Sequence, residues 1–265
     1  MRGRVYREVT PDQLLDLKAD DLAGSLVLEV ATLTALQSGN VLSIGGDARH
    51  HLVELAERVG CPFLFLSDGR VFDGNEAPLN HRETEKTQPG SLAGGRLSAV
   101  EHLLERHIEK HLVLRTGPIF SEQGKNFFTS LFSRLVAGGE IPLNSSLKTC
   151  PTHVLDLARV VSALIDQIAC GAQNWGPYHY SSSGQTSAYE FTEVMLAFAS
   201  QHLNLSKVKT SLCVLDSGVL IDPAVPVLRV EKILHHFGIK QLPWRAQLPE
   251  PIKQLCERKE KGKKK

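Results

Sequence analysis

The sequence has no Cys-x-x-C pair, and its five cysteines (Cys61, Cys150, Cys170, Cys213, Cys256) are odd in number and scattered over 265 residues. That pattern suits reduced thiols better than a disulfide framework. No apolar run reaches the roughly 18 residues of a membrane span. The segment "MRGRVYREVTPD" has no signal-type apolar core, so a cytoplasmic chain without membrane attachment is expected. An excess of either charge is also missing. The 30 Lys and Arg against 29 Asp and Glu leave +1 overall, which gives no footprint for nucleic acid. Neither G-x-G-x-x-G nor G-x-x-G-x-x-G occurs. None of the four tyrosines (Tyr6, Tyr178, Tyr180, Tyr189) has a lysine four residues on.

What is present is a strand–helix alternation. "GSLVLEVATL" (24–33) and "CPFLFLS" (61–67) are apolar, β-rich runs that predict buried parallel strands. Between them "DARHHLVELAERVG" (47–60) carries Leu52, Leu55, Ala56 and Val59 at helical spacing and stops at Gly60. "RLSAVEHLLERHIEK" (96–110) predicts a second amphipathic helix and "HLVLRTG" (111–117) the next strand. The fold class is α/β with a parallel sheet. The predicted organisation is a core over 1–117, then remaining core strands interleaved with a smaller lobe over 118–250. The charge run ending the sequence predicts a basic flexible tail over 251–265.

Residues 66–74, "LSDGRVFDG", sit where an α/β protein presents reactive groups, at the carboxyl end of a strand. "FLFLSDGRVFDG" resembles the corresponding strand and loop of the extended short-chain dehydrogenase/reductases, dTDP-4-dehydrorhamnose reductases in particular. "HRETEKTQP", "VLRTGPIF", "NFF", "CPTHVLDLA", "GPYHYSSSGQTSAYEF" and "HHFGIKQLPWRAQL" are similar to further segments of that family, in the same order. The resemblance runs over roughly residues 8–248. It implies a Rossmann-like sheet with helices on both faces and a smaller lobe. By that resemblance the family's first βαβ unit is expected to be missing from this sequence.

The resemblance implies catalysis by a Ser/Thr, a Tyr and a Lys, the Tyr serving as proton donor or acceptor. In this sequence the Thr position falls on Asp68 beside Ser67, and a loop tyrosine position falls on Arg70. The Tyr-x-x-x-Lys pair falls on Leu92 and Arg96. Leu92 has no transferable proton, and a guanidinium does not replace a tuning lysine. A chain that has lost catalysis, has lost NAD(P) binding or keeps it only very weakly, and serves a binding or regulatory role is therefore expected. The opposing reading is an NAD(P)-dependent reductase or epimerase of a nucleotide sugar.

Ser67, Asp68, Arg70, Arg96, Asn126 and Thr152 are the candidate ligand contacts, with Asn126 and Thr152 implied by the resemblance near the substrate lobe. Asp68 and Arg96 are expected to pair across the old site. Arg115 is expected to serve structure. His107 and His111, four apart, are expected to be solvated rather than metal ligands. An exposed edge along the strand of 24–33 predicts a homodimer, or a protein partner that adds a strand. The alternation in "GRVYREV" (3–9) offers a partial cover.

Overall fold

The computed structural model describes residues 5–37, 46–74, 80–203, 210–216 and 225–263. In chain order the elements are α1 (Ala19–Leu22), β1 (Val27–Glu29), α2 (Ala31–Gln37), α3 (Gly46–Val59), β2 (Phe63–Asp68), α4 (Leu92–His107), β3 (His111–Thr116), β4 (Ile119–Phe120) and α5 (Phe127–Ala137). Then follow β5 (Gly139–Leu143), β6 (Thr152–His153), α6 (Val154–Ala169), β7 (Gly176–Tyr180), α7 (Ala188–Ser200), β8 (Thr210–Val214), α8 (Glu231–Phe237) and α9 (Pro249–Lys263).

The chain divides into two units. The first comprises Met1–Thr116, Ala158–Tyr180 and Arg229–Ile239; the second comprises Gly117–Leu157, Ser181–Leu228 and Lys240–Lys265. The first unit holds a parallel sheet in the order β1-β2-β3-β7. All six residues of β2 are buried, as a parallel strand covered on both faces requires. Leu64, Phe65, Leu112, Leu114 and Tyr178 of the sheet and Leu97 and Leu104 of α4 are all closed to solvent. Gly94 is fixed by packing: a Cβ there would run into the Arg70 carbonyl oxygen, so only glycine lets α4 lie this close to the turn after β2.

Two sequence expectations change here. The run 24–33 is not one strand. β1 is three residues long, and Ala31–Gln37 turns into helix. A short apolar run fits either periodicity, and "ATLTALQ" holds good helix formers. The premise of an edge-covering partner was a long apolar edge. Among the described residues the outer strand is this short one, a length that natural sheets use to blunt edges. The described part of 3–9 forms no strand, and Val5 and Tyr6 are exposed.

The second unit has two small parallel sheets, β4-β6 and β5-β8. Its core joins Phe120, Phe128, Leu131, Leu135, Phe191, Met195 and Trp244. The basic tail is corrected as well, because α9 runs to Lys263. Pro249 opens it, which costs no internal hydrogen bond. Ile252 and Cys256, one turn apart, are buried. Two cations of the charge run are used: Arg258 donates to the Glu122 carbonyl at 2.7 Å and Lys259 to the Val136 carbonyl at 3.0 Å. Val136 lies in the last turn of α5, where the helix dipole favours a cation. Among the described residues no helix is long and apolar enough to cross a membrane.

Candidate functional site

β2 delivers Ser67 and Asp68 to its carboxyl end, and a short 3-10 turn, Gly69–Phe72, follows. Asp68 caps that turn by accepting from the Arg70 backbone N–H at 2.9 Å. The same carboxylate forms an ion pair with the Arg70 guanidinium, whose Nε lies 2.9 Å from one oxygen and 3.1 Å from the other. Both side chains are buried. The expected pairing of Asp68 with Arg96 is therefore replaced by a local one. Two residues along a tight turn bring Arg70 back over the carboxylate at little loop-closure cost.

The parallel register sets Ser67 beside Arg115 and Arg115 beside His179. Neighbours in register share a face of the sheet, so the three form one buried polar row. Glu101 of α4 ties it together. Its carboxylate accepts from Ser67 Oγ at 2.6 Å and from Arg115 Nη2 at 2.6 Å and Nε at 3.1 Å. This confirms the structural role expected of Arg115. Its guanidinium also lies 5.0 Å from the Phe72 ring centroid, within cation–π range.

His179 closes the row. Its Nδ1 lies 3.1 Å from the Arg229 carbonyl and its Nε2 3.3 Å from Arg115 Nη1. A carbonyl only accepts and a guanidinium only donates, so Nδ1 carries the proton and Nε2 is bare. Burial, and secondly the Arg115 charge, hold its pKa well below the ordinary imidazole value. The unfolded chain therefore binds a proton that the folded chain refuses. The contribution is intact above the unfolded pKa, about 6.5. It is lost as pH falls from there toward the lowered folded value. The urea midpoint of the wild type should drop below about pH 6.5, with a slope of up to ~1.4 kcal/mol per pH unit from this residue. His179→Gln should remove that part of the slope. Equal slopes in the two proteins would contradict the assignment.

The remaining candidates separate. Leu92 is 68% exposed at the start of α4, and Arg96, one turn on, is half-buried. Asn126 caps α5: its Oδ1 accepts from the Phe128 and Thr129 N–H groups, and its Nδ2 donates to the Ser121 and Gln123 carbonyls. Thr152 is buried, and its hydroxyl accepts from the Ser182 N–H at 3.0 Å. Both are occupied within the second unit. His107 lies 3.3 Å from Glu57, and His111 lies 2.6 Å from the Ile108 carbonyl. Among the described residues no cluster of three His, Cys, Asp or Glu side chains is placed to hold a metal. Sequence reasoning missed Glu101 and His179. Glu101 looks like any polar helix residue, and the strand register that sets His179 beside Arg115 leaves no local sequence signal.

The first unit can be tested against a nicotinamide dinucleotide. Gly74 and Gly90 face each other's backbone, and Gly94 faces Arg70. These glycines close onto protein and are no open cradle for a pyrophosphate. Ser67 is held by Glu101, and Leu92 has no proton to give. No proton step in the manner the sequence resemblance implies follows from Ser67 and Leu92.

The RmlD substrate binding domain family matches residues 20–257. A dTDP-4-dehydrorhamnose reductase of Aggregatibacter actinomycetemcomitans is 25% identical over 251 residues, covering 91% of this chain and 85% of the relative. Another, of Sinorhizobium fredii, is 25% identical over 184 residues; that match covers 67% of this chain and 62% of the relative, less than two thirds of it. Among solved structures, the Bacillus anthracis dTDP-4-dehydrorhamnose reductase in complex with NADP has a TM-score of 0.69 at 18% identity and covers 93% of this chain and 83% of that one. The Bacillus cereus UDP-glucuronic acid 4-epimerase in complex with UDP-glucuronic acid and NAD has a TM-score of 0.70 at 14% identity, over 92% and 80%. These structures share with this chain a Rossmann-like α/β fold with a parallel sheet. They also correct the expectation of a non-enzyme without a cofactor. The relatives are named enzymes, and the two structural neighbours are nicotinamide complexes.

Proposed function

This chain belongs to the RmlD substrate binding domain family, and from that premise we propose that it is an NAD(P)-dependent reductase or epimerase acting on a nucleotide sugar. The observation that carries the reading is the extent of the match, residues 20–257, to a family whose relatives are named for that chemistry. The parallel sheet supports it, since α/β folds of this kind bind ligands outside the carboxyl ends of their strands. The chain's own residues at that end are the Asp68–Arg70 turn and Arg96.

Calorimetric titration of the purified protein with NADH, NADPH, dTDP-sugars and UDP-sugars, followed by a turnover assay, tests the proposal. Binding of one nucleotide sugar at micromolar concentration is expected, an affinity of about 8 kcal/mol. Cofactor-dependent turnover of that sugar should accompany it. If neither sugars nor cofactors bind below about millimolar, roughly 4 kcal/mol, the reading fails.

A further inference from the structure

We infer that His81 and Glu85 form a proton-transfer dyad beyond the carboxyl end of the sheet, with His81 Nε2 as the atom that exchanges a proton with a sugar hydroxyl. The role on a sugar rests on the nucleotide-sugar reading; the dyad itself does not.

The loop between β2 and α4 sets the geometry. Among the described residues Asn80 is the one non-glycine residue with a positive φ, +83°. Asparagine enters that region more readily than most side chains, and backbone held there is a mark of functional loops. The next residue is His81. Its carbonyl accepts from the Arg229 N–H at 2.9 Å. Its ring lies flat on the Phe72 ring, with 4.5 Å between centroids and 5° between planes. The Arg115 guanidinium is 5.0 Å from the same Phe72 ring, and the His179 ring meets it edge-on at 5.9 Å. Arg115 and His179 each stand one residue before the end of their strands, β3 and β7. Phe72 therefore fixes His81 near the carboxyl ends of two sheet strands, where folds of this kind place their ligands.

Glu85 holds the ring from its Nδ1 side. Its Oε2 lies 2.7 Å from His81 Nδ1, and its Oε1 accepts from the Arg82 N–H at 2.9 Å. Burial alone would push the Glu85 carboxyl up, but the Arg82 N–H and His81 outweigh it and hold its pKa below the ordinary value. An ionised carboxylate only accepts, so Nδ1 carries the ring proton and Nε2 keeps a lone pair. The His81 side chain is 3% exposed, and among the described residues nothing hydrogen-bonds Nε2. A fixed imidazole with one nitrogen held by a carboxylate and the other bare is an oriented general base.

A reductase or epimerase moves a proton on and off a sugar oxygen. As the carbon is oxidised, Nε2 takes the hydroxyl proton. The O–H bond breaks and an N–H bond forms. The electron pair left on oxygen closes the C=O bond while the hydride leaves the carbon for an oxidised nicotinamide. Reduction runs the same exchange backwards. Glu85 positions the ring and offsets the charge of the imidazolium that forms. The dyad supplies the proton carrier that Leu92, with no proton to give, and Ser67, held by Glu101, do not. The other charged or titratable groups around the ring are Arg82 and Glu83 in its own loop, Arg115, His179 and Arg229.

The test has two arms, both on the full chain. The first needs no substrate. Long-range proton–nitrogen NMR should show His81 protonated on Nδ1 and bare on Nε2 at neutral pH. Diethyl pyrocarbonate, which acylates a bare imidazole nitrogen, should modify His81, as located by mass spectrometry. Glu85→Gln should slow that modification by about threefold or more, because a weaker base attacks more slowly. His107, 44% exposed at its side chain, should react as before. The second arm is turnover of the sugar that calorimetry selects. His81→Gln should lower kcat by about 10²–10⁴-fold, the usual contribution of a positioned acid or base, with little change in KM. It should also abolish the limb of the pH profile that follows this imidazole. Glu85→Gln should lower kcat by about tenfold or more, and Glu85→Asp should restore part of it. Should His81→Gln fail to fold, Glu85→Gln decides, because its side chain is 37% exposed. If no sugar turns over, the nucleotide-sugar reading fails and the first arm alone judges the dyad. A proton on Nε2 in place of Nδ1, a His81 that the reagent never reaches, or a His81→Gln enzyme as fast as wild type would overturn it.

Discussion

Glu101→Leu should destabilise the first unit by about 3–5 kcal/mol, the range for breaking a buried ion pair from one side. Glu101 and Arg115 are both 6% exposed at their side chains. Removing the carboxylate leaves the Arg115 guanidinium buried against the Phe72 ring and His179 Nε2 without its counter-charge. It also strips Ser67 Oγ of its acceptor. Against a typical total of roughly 5–15 kcal/mol, that loss brings the unit close to unfolding. Adding Arg115→Met to Glu101→Leu should recover much of it, because two well-packed apolar side chains carry no unpaired charge. Urea unfolding of the wild type, both single variants and the double variant forms the cycle. Additive single effects would mean the pair does not couple.

Asp68→Ala is the second large effect, again about 3–5 kcal/mol. Here the charge left behind is Arg70, 7% exposed at its side chain. The turn after β2 also loses its cap, a further cost of about 1 kcal/mol. Arg70→Ala should cost less than Asp68→Ala, because Asp68 still caps its own turn through the Arg70 backbone N–H. Arg96→Ala should be near neutral by the same assay, since Arg96 is not the partner. A strong coupling between Asp68 and Arg96 would restore the pairing expected from the sequence and refute the local one.

The sheet was legible where periodicity and length agree. Phe63–Leu66 and Leu112–Leu114 are unbroken apolar runs inside strands, and α3 and α4 show their apolar faces at helical spacing. The run at 24–33 was not legible, because local pattern cannot divide an apolar stretch between a short strand and a following helix. α9 was hidden by its lysines. Its buried positions Pro251, Ile252 and Cys256 are a weak signal inside a strong charge run. The site residues were read from position in a family, so Asp68 was matched with Arg96 and its neighbour Arg70 was passed over. The polar row was invisible for a different reason. Ser67, Arg115 and His179 are far apart in sequence, and only the strand register joins them. Function was misjudged by weighing missing motifs alone, against relatives over most of the chain that are named enzymes.

The anchoring of α9 bears on how the chain is handled at the bench. A charge run of this kind invites trimming or replacement by an affinity tag. Trimming back to Cys256 would remove Arg258 and Lys259, and with them the two cations that hold the Glu122 and Val136 carbonyls. A trypsin digest reads the same feature from outside. Lys253, Arg258, Lys259 and Lys261 are four potential cleavage points on a helix anchored by Ile252 and Cys256. Slow cutting there marks a chain whose second unit is folded, and rapid cutting marks one whose α9 has come away.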